Sequence, residues 1–193
     1  MVSRMVSDPM NSAIEVILGR SSTKKFADTA VTREQLELLL TAAVRAPDHG
    51  LIAPWRFTIL EGDSRKILGN AMASALREKS PDADSEMLER EATKAMRSPT
   101  LLVVSAVTQL HAKVPEIEQW VAVGAAIQNL WIAAEALDLG IAWKTGSHAY
   151  NATVKKALGL APDEKIIGFV HVGVPLSKAP VRPPDFTTRT RRL

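Results

Sequence analysis

The spacing of apolar residues divides the chain into short elements separated by turn signals. Ile14, Ile17 and Leu18 share one stripe and predict a helix from about Asn11 or Ser12 to Gly19. The next helix has a clear start: Thr32 stands as N-cap, Gln35 completes a capping box, and Leu36, Leu39, Leu40 and Ala43 form an apolar face. Pro47 and the Asp48-His49-Gly50 turn stop it. Trp55 to Leu60 alternates as a strand closed by Glu61-Gly62-Asp63, and Ser64 is placed to cap a helix reaching about Lys79. Pro81 to Ser98 is charged and helical in pattern, as an exposed, mobile excursion would be. Leu101–Val107 and Ile166–Val174 are nearly continuous apolar runs, expected as buried central strands.

Trp120 to Gly140 is the most apolar stretch. Gln128, Asn129, Glu135 and Asp138 interrupt it at several angular positions, so it predicts a buried helix and not a membrane span. Val123, Ile127, Leu130, Trp131 and Leu137 cover more than one stripe, which points to burial at a subunit interface. Few strands and long helices make the class α+β or α/β.

Composition narrows the picture. The 193 residues suit one domain, 11–193, behind a disordered leader at 1–10. With 46% hydrophobic and 23% charged residues the chain is a packed globule, and its lack of cysteine excludes a disulfide scaffold, an iron–sulfur cluster, a zinc knuckle and a cysteine nucleophile. Met1 to Met10 is polar and carries no secretory core, which gives a cytoplasmic reading. The formal charge of +3 is matched by the basic tail at 182–193, where Arg182, Arg189, Arg191 and Arg192 face only Asp185. Such a tail is solvated or packed on a partner subunit, and no nucleic-acid footprint is expected.

There is no G-x-G-x-x-G, no Walker-type phosphate loop, no nucleophile elbow and no metal-ligand spacing among His49, His111, His148 and His171. That poverty favours a borrowed organic cofactor. Two segments could hold one. Gly19 to Phe26 concentrates Arg20, three hydroxyls, Lys24 and Lys25, which reads either as a phosphate grip or as a solvated basic turn. Arg45 to Trp55 sets Arg45 and His49 either side of a turn, and His49 alone reads as a turn or capping residue as readily as a site residue.

Arg20-Ser21-Ser22-Thr23-Lys24-Lys25-Phe26 resembles the R-R-S-x-R-x-F opening of the FMN-dependent nitroreductase superfamily. Ala46-Pro47 through Pro54-Trp55 resembles its A-P-S-S-x-N-x-Q-P-W segment, and Gln128-Asn129-Leu130 through Trp143-Lys144-Thr145-Gly146 resembles its Q-N-x-x-L-A-A-x-x-L-G-x-x-W stretch. The match runs in register from about Ile14 to Pro175 and is nearest to a small single-domain subgroup. The resemblance implies an α+β nitroreductase-like fold: a central, mostly antiparallel sheet flanked by helices, in a domain-interlocked homodimer.

It also implies roles. Arg20, Ser21 and Ser22 would hold the FMN phosphate, and Lys24 would sit near the pyrimidine side of the flavin. Arg45 and His49 would contact FMN from the neighbouring segment. Trp143, Lys144 and Thr145 would line the ring, with a backbone N–H facing flavin N5. Arg182 would replace the charge lost at Ser21, where the family pattern has a second arginine. Leu51 and Ala53 stand where that pattern has Asn and Gln, so two typical flavin contacts are missing. The implied activity is ping-pong oxidation of NADH or NADPH, with electrons passed to a nitroaromatic, quinone or related small-molecule acceptor contacted by the variable helical excursion at 65–98. A specialised flavin dehydrogenase or dehalogenase-like member, or a non-catalytic flavin-binding protein, is the alternative.

Overall fold

The computed structural model describes residues 12–181 and 184–193; the expected leader at 1–10 and the Arg182 assignment fall outside these residues. Helix α1 spans Ser12–Gly19 and α2 spans Arg33–Ala43. The capping box of α2 is formed as the sequence predicts: Gln35 N–H donates to Thr32 Oγ1 and Thr32 N–H to Gln35 Oε1. Strand β1 is Trp55–Glu61, α3 Arg65–Lys79, α4 Ser85–Ala92 and β2 Thr100–Ala106. Helix α5 runs Glu116–Ala136, followed by β3 Gly140–Lys144, α6 Ala152–Ala157 and β4 Lys165–Gly173.

The sheet has four strands in the order β1-β2-β4-β3, and every neighbouring pair is antiparallel. The fold is therefore α+β. Strands β2 and β4 are central, which explains their unbroken apolar runs. Leu102, Val104, Val170 and Val172 enter a core with α2 and α5, while Leu101, Val103 and Phe169 enter a second core with α3 and α6.

Three expectations are corrected. The long helix begins before Trp120 and ends before Gly140. Pro115 precedes it, Glu116 and Glu118 complement its N-terminal dipole, and Asp138 at φ 56° turns the chain out so that Gly140 opens β3. Ser64 does not cap α3 with its side chain, because its hydroxyl donates instead to Glu61 O. Pro81–Ser98 is helical, but its inner face is packed: Ala83, Ala95 and Ser98 are buried, and Ala92 O lies 2.6 Å from where a Gly69 Cβ would stand.

The apolar residues of α5 expected at a subunit interface are internal to the chain. Val123, Ile127, Leu130 and Trp131 are all hidden inside the chain's own first core, against which Leu137 packs, because α2 and the sheet cover α5 from two sides. The exposed large apolar residues of α5 are Ile117 at 58% and Val121 at 65%, and α1 exposes Ile14, Ile17 and Leu18. No helix among the described residues is long and apolar enough to cross a membrane.

Candidate functional site

The chain leaves α1 at Gly19 and runs along the open edge of β3. Ser22 bridges Ile141 in parallel, and Thr23 N–H donates to Ile141 O at 2.8 Å. Beyond it, Phe26 bridges Pro175, Ala27 N–H donates to Val174 O, and Leu176 N–H donates to Lys25 O. The loop is seated tightly, since a Cβ on Gly140 would stand 2.2 Å from Thr23 Oγ1. Thr23 is buried while Ser22, Lys24 and Lys25 stay exposed. Among the described residues Arg20, Lys24 and Lys25 form no ion pair, so their positive potential is uncompensated. Arg20 is laid over the Trp131 ring, its Cζ 4.4 Å from the centroid.

Strand β3 delivers the next segment beside this loop. Trp143 is committed to the sheet: its Nε1–H donates to Ile167 O at 3.2 Å, and its indole covers Gly168, whose added Cβ would meet Nε1 at 2.1 Å. Lys144 and Thr145 emerge exposed at the strand end. Gly146 follows at φ 107°, a conformation that favours glycine, with open space where a side chain would go. At 143–145 the Lys144 and Thr145 side chains are thus exposed, beside a half-buried indole seated on the neighbouring strand.

The Arg45–Trp55 segment sits elsewhere. Arg45 follows the end of α2, exposed and outside any ion pair among the described residues. His49 Nδ1 lies 2.6 Å from Glu118 Oε2; a carboxylate only accepts, so Nδ1 carries the proton. Asp48 Oδ2 accepts from Ala53 N–H, closing a loop in which Leu51 and Ala53 take φ 53° and 51°. Left-handed backbone at non-glycine residues costs about 1–2 kcal/mol each, so this loop is held against strain. Pro47, Asp48, His49, Ile117, Glu118 and Val121 border a largely apolar cleft of about 300 Å³.

Glu118 is a residue that sequence reasoning missed, because its partner is 69 positions away. Helix α5 joins the two clusters: Glu118 meets His49 near its start and Trp131 meets Arg20 near its end, about 20 Å apart at 1.5 Å rise per residue. Along α5, one chain therefore sets His49 well apart from Arg20.

Two further ionisable groups escaped the sequence reading. Glu91 on α4 binds His148 Nε2 at 2.7 Å and Lys94 at 2.5 Å. Burial opposes its ionisation, but the hydrogen bonds and charges of Lys94 and His148 outweigh that and hold its carboxyl below the ordinary range. His171 on β4 is buried against Ser98, and burial, with Arg97 and Lys144 nearby, depresses its pKa to about 4.

The Nitroreductase family model matches residues 17–174. YdjA of Escherichia coli (strain K12), itself provisionally assigned as an NAD(P)H nitroreductase, is 33% identical over 167 residues, covering 86% of this chain and 90% of that protein. The Nitroreductase-like family protein from Bacillus cereus superposes with a TM-score of 0.84 at 26% identity, covering 96% of this chain and 98% of that one. A provisionally assigned nitroreductase from Desulfovibrio desulfuricans, solved in complex with FMN, gives a TM-score of 0.72 at 25% identity over 91% of this chain and 94% of that one. With its fold, the register of its motifs and the family model in agreement over most of its length, this chain belongs to the nitroreductase family.

Proposed function

We propose that the chain is an FMN-dependent NAD(P)H oxidoreductase acting on nitroaromatic, quinone or related acceptors. The observation that carries this reading is the pairing of Ser22 and Thr23 with Ile141, which lays a loop of cations and hydroxyls, without an ion pair among the described residues, beside the exposed end of β3. The donor set fits a flavin mononucleotide. Arg20 offers a planar fork and Ser21 and Ser22 offer hydroxyls for a phosphate, while Lys24 offers a cation for the pyrimidine edge. Lys144 and Thr145 are exposed at the strand end beside this loop, and the Gly146 position leaves open space where a side chain would go.

FMN held there would supply the two-electron redox chemistry that links NADH or NADPH to the acceptor. The protein's contribution is positional and electrostatic. Lys24 would stabilise negative charge developing at the pyrimidine edge, and Lys144 and Thr145 would lie against the ring. Arg45 and His49 join this site from a second copy. Two chains related by a two-fold axis across α5 set the His49 end of one helix beside the Arg20 end of the other, and Ile117 and Val121 are the exposed apolar residues available to such a contact.

Steady-state kinetics test the proposal. Under anaerobic conditions FMN-loaded protein is expected to turn over NADH or NADPH beyond one equivalent only when menadione or a nitroaromatic is present, with parallel double-reciprocal lines. Turnover no faster than that of free FMN refutes it. Sedimentation at micromolar concentration is expected to show a dimer, and a monomer removes the shared site.

A further inference from the structure

The loop keeps one arginine at the phosphate position where the family pattern has two, since Ser21 replaces the second. That arginine is not loose. Its guanidinium stands 4.4 Å from the ring centroid of Trp131, which is 6% exposed and packed in the core with Ile127 and Leu130. The ring is therefore a rigid platform. A guanidinium resting on an aromatic face keeps its in-plane N–H fork free for a bidentate ligand.

Trp131 is also a costly choice for this place. Its Nε1–H is buried and finds no acceptor among the described residues, so an aliphatic or phenyl side chain would avoid an unsatisfied donor. What only the indole adds is the strongest cation-binding face. We propose that Trp131 is a positioning residue for the phosphate contact: it holds Arg20 flat, with its fork presented, before the ligand arrives. The proposal rests on the FMN reading of the loop. Ordering a free arginine is a cost normally met on binding, and prior stacking removes it, which offsets the charge missing at Ser21.

The test is a double-mutant cycle on FMN affinity, read by fluorescence titration of apoprotein with Trp131→Phe, Arg20→Gln and the pair. Trp131→Phe is expected to weaken FMN about three- to tenfold in the wild-type background. In the Arg20→Gln background it is expected to change affinity less than about twofold, because nothing remains to be positioned. Equal loss in both backgrounds, or no loss in either, overturns the proposal, the first outcome marking a merely structural role. A wild-type protein that takes up no FMN overturns the cofactor reading itself. NMR relaxation of the Arg20 Nε–H in apoprotein gives a measurement independent of FMN and of any variant's folding. An ordered Arg20 supports the platform, and an Arg20 as mobile as exposed Arg45 refutes it.

Discussion

Gly140→Ala tests whether the phosphate loop is set by its seat on β3. The new Cβ would stand 2.2 Å from Thr23 Oγ1, 2.9 Å from its Cβ and 3.0 Å from its Cγ2. All three atoms belong to one buried side chain, and Thr23 is also tied by its N–H to Ile141 O at 2.8 Å, so rotation alone gives no relief. The loop must lift from the strand. Losing that hydrogen bond costs about 1 kcal/mol, and overpacking a close contact typically adds about 1–3 kcal/mol. Urea unfolding should therefore report a loss of about 2–4 kcal/mol. FMN affinity should fall as well, because Arg20 and Ser22 move with Thr23. Adding Thr23→Gly removes every clashing atom and should restore FMN affinity more fully than stability. Unchanged urea stability and FMN binding in Gly140→Ala would refute the seating argument.

Other outcomes are expected from particular residues. His171 is depressed to about 4 from an ordinary 6.5, so the unfolded chain binds its proton first and stability falls as pH drops through that window. The full effect is about 3 kcal/mol, and His171→Gln should flatten the stability curve between pH 6.5 and 4 in urea titrations. Glu91 has a lowered pKa, so its contribution is present above the ordinary carboxylate range and lost as pH falls below it; Glu91→Gln should destabilise the protein at pH 7 with little effect at acid pH. Lys24→Met should lower the reduction potential of bound flavin by roughly 30 mV per 1.4 kcal/mol of lost differential interaction, and an unchanged potential would return Lys24 to the status of a solvated lysine. Ile127→Asp places a charge at a fully buried position and should unfold the chain, whereas Val121→Asp, at a residue 65% exposed, should leave the fold intact and disrupt the dimer on sedimentation.

Much of the fold was legible because local signals and burial agree. Thr32 and Gln35 announce α2 through a purely local bond pair, and the runs at Leu101 and Ile166 announce central strands because both faces of β2 and β4 are covered. The end of α5 was not legible, since leaving the helix at Asp138 depends on a single left-handed residue and not on a break in hydrophobicity. The inference of an interface from Ile127 and Trp131 failed for a related reason. Periodicity counts apolar faces, but it cannot tell that α2 and the sheet together cover most of α5.

In the site, the hydroxyl and cation cluster at Arg20–Lys25 was visible as composition. Its seat against Gly140, the stacking of Arg20 on Trp131 and the pairing of His49 with Glu118 all join positions far apart in the chain. Trp143 shows the converse. Its place in a motif was visible in the sequence, whereas the seating of its indole on Gly168 of the neighbouring strand, a contact set by strand register, was not.

The most direct test of the central claim is the visible spectrum of the purified protein, taken with its FMN content per chain and followed on anaerobic mixing with NADPH or NADH. An FMN oxidoreductase predicts about one FMN per chain, an oxidised flavin band near roughly 450 nm, and bleaching of that band by at least one of the two nucleotides, reversed by adding a quinone. A protein that stays colourless after incubation with FMN, or holds FMN that neither nucleotide bleaches, would contradict the account.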